Sequence, residues 1–106
     1  MPKGDFVGEF ELYVMLALEH LAPEAYGIAV RQEIERRTGR NVAIGAVYAT
    51  LGRLEDKQLV KFSLSAPQPV PGGKARKHFS LTAAGRRALR HSTTMLARML
   101  EGWAKS

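Results

Sequence analysis

The run from Ile44 to Glu55 admits one regular structure and gives it two unlike faces. Val47, Leu51 and Leu54 recur at i, i+4 and i+7, the apolar stripe of an α-helix. The other side carries Gly45, Ala46, Ala49, Gly52 and Arg53, so it is nearly smooth and can come very close to another surface. Arg53 and Lys57 edge that smooth side with positive charge. An ordinary amphipathic surface helix would show the same stripe, and only the neighbouring sequence separates the two readings. A helix apolar behind and smooth in front suits the major groove of duplex DNA, which is wide enough to admit one helix.

The residues after the helix favour the groove. From Val60 to Ser65 apolar and polar residues alternate, which predicts a half-buried strand. Pro67, Pro69, Pro71, Gly72 and Gly73 then interrupt all regular structure. Lys74, Arg76 and Lys77 come next, and His78 to Leu81 alternates again. Two strands joined by a loop with a basic rim make a hairpin whose base is charged. Ahead of the smooth helix, Glu9 to Leu21 predicts a first helix that is apolar over most of its circumference, and Ala25 to Thr38 a second, stopped by Gly39. Helices followed by a basic hairpin is the element order of a winged helix-turn-helix, in which a helix enters the groove and the wing lies along phosphates. The fold class is mostly α (α+β), a winged helix-turn-helix with a two-stranded wing and a C-terminal dimerisation helix.

Tyr26-Gly27, the run Gly45-x-x-Tyr48-x-x-Leu51-x-x-Leu54-Glu55, and Gly72 to Arg86 with its Leu81-Thr82-x-x-Gly85-Arg86 start of the last helix resemble the PadR family of bacterial transcriptional regulators. The resemblance runs from about residue 9 to about residue 90. It implies a repressor, and it allows a small hydrophobic or aromatic effector. Gln58 departs from the pattern, because the family usually has Gly in this turn between helix and strand. A glutamine there must take a left-handed conformation at some cost or use a different turn.

Charge is distributed in keeping with a polyanion partner. The 106 residues carry a net charge of +6, but residues 1–30 hold one basic and five acidic side chains, and residues 31–106 hold fifteen basic and five acidic. The basic excess falls on the helix-turn-helix, the wing and the last helix. We assign DNA contact to Tyr48, Thr50, Arg53 and Lys57 on the smooth helix and to Lys74, Arg76 and Lys77 on the wing. Tyr48 is open to a second role, as a partly buried ring that holds the helix in place.

Thr82 reads as the N-cap of a final helix reaching about Trp103. Leu89, Leu96, Met99, Leu100 and Trp103 form a stripe along it that needs cover, and Phe10 and Val14 lie on the apolar first helix. These residues are assigned to a two-fold homodimer interface, which in turn implies a palindromic operator. The organisation is then a tail over residues 1–8, a winged domain over 9–82 and a dimerisation helix over 83–106. A chain of this length is expected to form one domain and to gain from a partner subunit.

Chemistry of other kinds finds no footing. The absence of cysteine excludes disulfides and thiolate metal sites. His20, His78 and His91 have no metal-ligand spacing, and Gly73-Lys74 fails as a phosphate loop, with Gln68 at the first Gly position and Ala75 at the Ser/Thr position. No cofactor, catalytic residue, membrane span or secretory signal is expected, and the location expected is cytoplasmic. The rival reading is a winged-helix protein-interaction adapter without specific DNA binding, since fold alone does not fix function.

Overall fold

The computed structural model describes residues 7–65 and 75–103. Four helices and one two-stranded antiparallel sheet follow in the order α1 (Glu9–Leu21), α2 (Gly27–Thr38), α3 (Ile44–Asp56), β1 (Val60–Leu64), β2 (Lys77–Leu81) and α4 (Ala83–Leu100). This is a winged helix-turn-helix. Among the described residues, no helix is long and apolar enough to cross a membrane, and no group of three or more His, Asp or Glu could hold a metal.

The core forms where the apolar stripes of α1, α2 and α3 meet over the root of the hairpin. Val14, Met15 and Leu18 from α1, Val30 and Ile34 from α2, and Val47, Leu51 and Leu54 from α3 are all buried, with Val60, Phe79 and Leu81 closing the base. Burying each such side chain is worth about 1.5–3 kcal/mol. The breadth of apolar surface on α1 is used up inside its own domain. Phe10, Leu12, Tyr13 and Leu16 are half-buried against the core, and no large apolar side chain of α1 is exposed. Val14, assigned from sequence to a dimer interface, is 0% exposed and belongs to the core of its own chain. Leu89 is corrected in the same way, because the first turns of α4 pack into the domain and bury Gly85, Ala88 and Leu89.

Helix ends follow local chemistry. Gly39 closes α2 in the left-handed conformation, φ 73°, with its N–H donating to the Glu35 carbonyl. The second helix starts two residues later than its apolar pattern suggests, because Ala25 is engaged elsewhere: its carbonyl accepts from Phe79 N–H at 3.0 Å, and Tyr26 bridges His78. Gln58 does adopt the left-handed turn, φ 61°. Its carbonyl accepts from Thr82 Oγ1 at 2.8 Å, while Thr82 N–H donates to the Leu59 carbonyl at 3.0 Å. Thr82 Oγ1 also accepts from Gly85 N–H at 2.9 Å, the N-cap bond expected for α4. The residue that departs from the family pattern is therefore held in place by the cap of the next helix.

The hairpin departs from its alternating pattern. Val60 pairs with Leu81 and Phe62 with Phe79, and Val60, Phe79 and Leu81 are buried, yet Phe62 and Leu64 are exposed. The strands run past the edge of the core, so only the root of β1 has anything to pack against. The half-buried strand expected over 60–65 is buried at Val60 alone.

Candidate nucleic-acid interface

The outer face of α3 is as bare as its sequence implies. Gly45, Ala46 and Ala49 are exposed, and a methyl group built on Gly45 or Gly52 would meet no atom within 4 Å. Nothing among the described residues requires these two glycines, whose backbone is helical. Arg53 stands at the rim of this face with its side chain 56% exposed.

Tyr48 is anchored at one end. Its ring is 48% exposed, and its hydroxyl end lies on Gly27 at the start of α2, where an added Cβ would overlap it. The second of the two roles open to this residue, a ring that fixes the helix, has a physical basis in that contact. Gly27 is the seat that makes it. In sequence Tyr26-Gly27 stands out only as a motif, with no sign of what the glycine receives.

One assigned contact does not reach the outer face, and a second is tied to a carboxylate of α1. Thr50 is 1% exposed, so it cannot touch a duplex. It sits three residues from Val47 and four from Leu54 and shares their buried stripe, a spacing that places it on the inner side. Its Oγ1 instead accepts from Arg53 Nη2 at 2.9 Å, so it steadies the arginine rather than contacting a partner. Lys57 is drawn inward too: its Nζ donates to both carboxylate oxygens of Glu11, at 3.1 and 3.0 Å.

Glu11 is absent from the sequence assignment and central to the structure. It lies on the buried side of α1 beside Val14, Met15 and Leu18, and accepts from Gly8 N–H at 3.0 Å, with Arg53 Nε 3.9 Å away. Burial alone would raise its carboxyl pKa. The Gly8 N–H, the Lys57 ammonium and Arg53 outweigh that and hold it below the ordinary value. The signal in sequence is a carboxylate at helical spacing with core residues.

The wing cations stand on aromatic rings. The Arg76 guanidinium lies 4.0 Å over the Tyr26 ring, and Lys77 Nζ lies 4.0 Å over the Phe62 ring and 3.9 Å from Glu55 Oε1. His78 meets Tyr26 edge-on at 5.8 Å and its Nε2 lies 3.0 Å from Ser63 Oγ. Lys74 lies outside the described residues. Among them, Lys61, Arg76, Arg87, Arg90 and Arg98 form no ion pair, whereas Arg36 and Arg37 both serve Glu33, and Arg40 and Arg86 face Glu9 and Glu19.

The apolar stripe of α4 emerges beyond the domain. Met95, Leu96, Met99 and Leu100 are exposed, Met99 by 80%, and Trp103 in the turn after the helix is 72% exposed. Phe10 is half-buried against its own core.

The chain is similar to known proteins in sequence and in fold. The family model described as the Transcriptional regulator PadR-like family matches residues 16–91. The transcriptional regulator Rv3488 of Mycobacterium tuberculosis is 39% identical over 89 residues, which cover 80% of this chain and 78% of that protein. An uncharacterised 37.1 kDa protein in transposon TN4556 of Streptomyces fradiae is 34% identical over 74 residues, 70% of this chain, and the match spans only 19% of that longer protein. A PadR family transcription regulator from Clostridium difficile R20291 has a similar structure, with TM-score 0.72 and 24% identity over 89% of this chain and 96% of its own. Bacillus subtilis PadR, solved in complex with operator DNA, matches with TM-score 0.67 and 16% identity over 80% of this chain and 46% of its own.

Proposed function

This chain belongs to the PadR-like family of transcriptional regulators, which are not enzymes, and from that premise we propose that it is a repressor that binds a palindromic DNA operator as a homodimer. The observation that carries the DNA reading is the outer face of α3, where two glycines face open space beside an exposed arginine. In this reading α3 lies in the major groove with Arg53 reaching a guanine edge or a phosphate. Arg76, Lys77 and Lys74 follow the backbone from the wing. The operator complex of the Bacillus subtilis relative supports it.

The dimer reading rests on Leu96, Met99, Leu100 and Trp103, whose exposure at the end of α4 is relieved by a second copy. Two-fold symmetry then sets the two α3 helices about 34–36 Å apart, one duplex turn. If a cavity remains around Met99 and Trp103 in that seam it would admit a flat aromatic effector, and Trp103 fluorescence would respond to it.

The test is selection of bound duplexes from a random pool, with affinity then measured across a salt series. The expected result is a palindromic consensus and a log–log salt slope of about −0.9 for each phosphate contacted, flattened in the Lys74/Arg76/Lys77 triple alanine variant. A winged-helix adapter would instead show weak or no specific duplex binding. Sedimentation of the full chain against one ending before Met95 tests the dimer, and equal dimerisation of the two removes the end of α4 from the interface.

A further inference from the structure

A buried carboxylate on α1 holds both cations at the end of α3. The Glu11 side chain is 10% exposed, against 31% for Lys57 and 56% for Arg53. Lys57 gives its ammonium to both Glu11 oxygens, and Arg53 spans from Glu11 to the buried Thr50 hydroxyl. Desolvating such a pair returns little stability compared with apolar residues of the same volume, so stability alone does not account for a glutamate here. What the arrangement does achieve is geometric. Nη2 of Arg53 is held by the Thr50 hydroxyl at 2.9 Å, Nε is drawn toward Glu11 at 3.9 Å, and Nη1 keeps no partner among the described residues. Lys57, on the same helix edge, has its charge answered from within.

We propose that Glu11 is a specificity-determining positioning residue for DNA binding: it withholds Lys57 from the phosphates and fixes the direction in which Arg53 points. The inference rests on α3 being the DNA-facing helix. A flexible lysine at that edge would strengthen attraction to every duplex alike, because phosphate contacts carry no sequence information. Withholding Lys57 lowers affinity for every duplex alike, while fixing Arg53 strengthens binding only where Arg53 meets its base, so the ratio of operator to unrelated affinity rises. It touches no base itself and acts through the two α3 side chains.

The experiment compares wild type, Glu11→Gln, Lys57→Met and the double variant on the selected operator and on an unrelated duplex across a salt series. In Glu11→Gln the unrelated duplex gains affinity, its salt slope steepens by up to about 0.9, and preference relaxes at the operator position that Arg53 reads. Lys57→Met alone leaves the wild-type slope unchanged, and in the Glu11→Gln background it removes the added slope. A loss of packing would shift melting temperature without moving slope or preference. The proposal is overturned by a folded Glu11→Gln protein with wild-type slope and operator ratio. It is also overturned by a flatter slope in Lys57→Met alone, which decides the matter even where Glu11→Gln does not fold. Failure of the underlying reading looks different: Arg53→Ala would leave operator affinity untouched, or the wild-type chain would bind no duplex, and either result overturns both.

Discussion

Replacing Gly52 by alanine should make the protein more stable and worse at binding DNA. Gly52 lies within α3, well inside Ile44–Asp56, at a helical φ, and an added Cβ would meet nothing within 4 Å. Glycine in a helix interior costs about 1 kcal/mol relative to alanine, so Gly52→Ala should raise the unfolding free energy by about that amount. For a domain of this size the melting temperature should rise by about 4 °C. Gly45→Ala should give less, because Gly45 is in the first turn, where the helix is less fully formed. The chain thus keeps a residue that its own fold would improve upon. If the reason is close approach of the helix backbone to the groove floor, a methyl at 52 pushes the helix out. Operator affinity should then fall by about tenfold or more, at least about 1.4 kcal/mol. Chemical denaturation and fluorescence anisotropy on the same preparation give both numbers. A Gly52→Ala protein that is more stable and binds the operator as tightly as wild type refutes the reasoning, since the smooth face would then have no partner that needs it smooth.

Gly85→Ala should behave in the opposite way: the new Cβ drives into the Leu59 carbonyl oxygen and lies 3.0 Å from the carbonyl carbon, so α4 must move off the β1 root and strain the Thr82 bonds to Gln58 and Leu59. A loss of about 3 kcal/mol is expected in urea unfolding, and one under about 1 kcal/mol would show that the contact yields easily. Thr50→Val keeps volume but removes the acceptor of Arg53 Nη2, so stability should change by about 1 kcal/mol while base preference at one operator position relaxes in a selection experiment. Acid should weaken the fold through two carboxylates. Burial opposes ionisation of Glu11, but the Gly8 N–H, Lys57 and Arg53 more than offset it; hydrogen bonds from Arg37 and then Arg36 lower Glu33; both folded values lie below the ordinary 4.5. The stabilisation is therefore full above 4.5 and is lost as pH falls through the lowered values, so unfolding free energy should drop below pH 4.5 less steeply in a Glu11→Gln, Glu33→Gln double variant than in wild type.

Periodicity carries most of the fold. The stripe Val47/Leu51/Leu54 and the apolar run from Glu9 to Leu21 place α3 and α1 within a residue of their observed ends, and Thr82 marks the start of α4 because its hydroxyl has a local job that no tertiary contact overrides. Periodicity cannot supply the length of surface available on the other side. Phe62 and Leu64 alternate like core residues but extend past the core's edge, and α1 looks two-sided in sequence but is covered by three helices and β2. At the candidate interface α3 is legible as the exposed basic helix, but the directions of two of its side chains are not. Thr50 has the residue type of a polar contact, though its spacing puts it on the apolar stripe. Lys57 has the residue type of a phosphate contact, and the carboxylate that turns it inward lies on α1, 46 residues away. Long-range ion pairs leave no mark at short sequence spacing, whereas Arg76 and Lys77, held by rings in or near the hairpin, stay on the surface where they are expected.

The base of the hairpin is fastened to the start of α2 by main-chain atoms, through the Phe79 N–H to the Ala25 carbonyl and the bridge between Tyr26 and His78. The Tyr26 ring adds to that joint, meeting His78 edge-on and seating the Arg76 guanidinium. Phe62 and Leu64 on the exposed side of β1 lie beyond that joint, so replacing them should leave the hairpin root fixed against the start of α2. Where the hairpin root sits is thus set by main-chain bonds, separately from the side chains displayed on its exposed side.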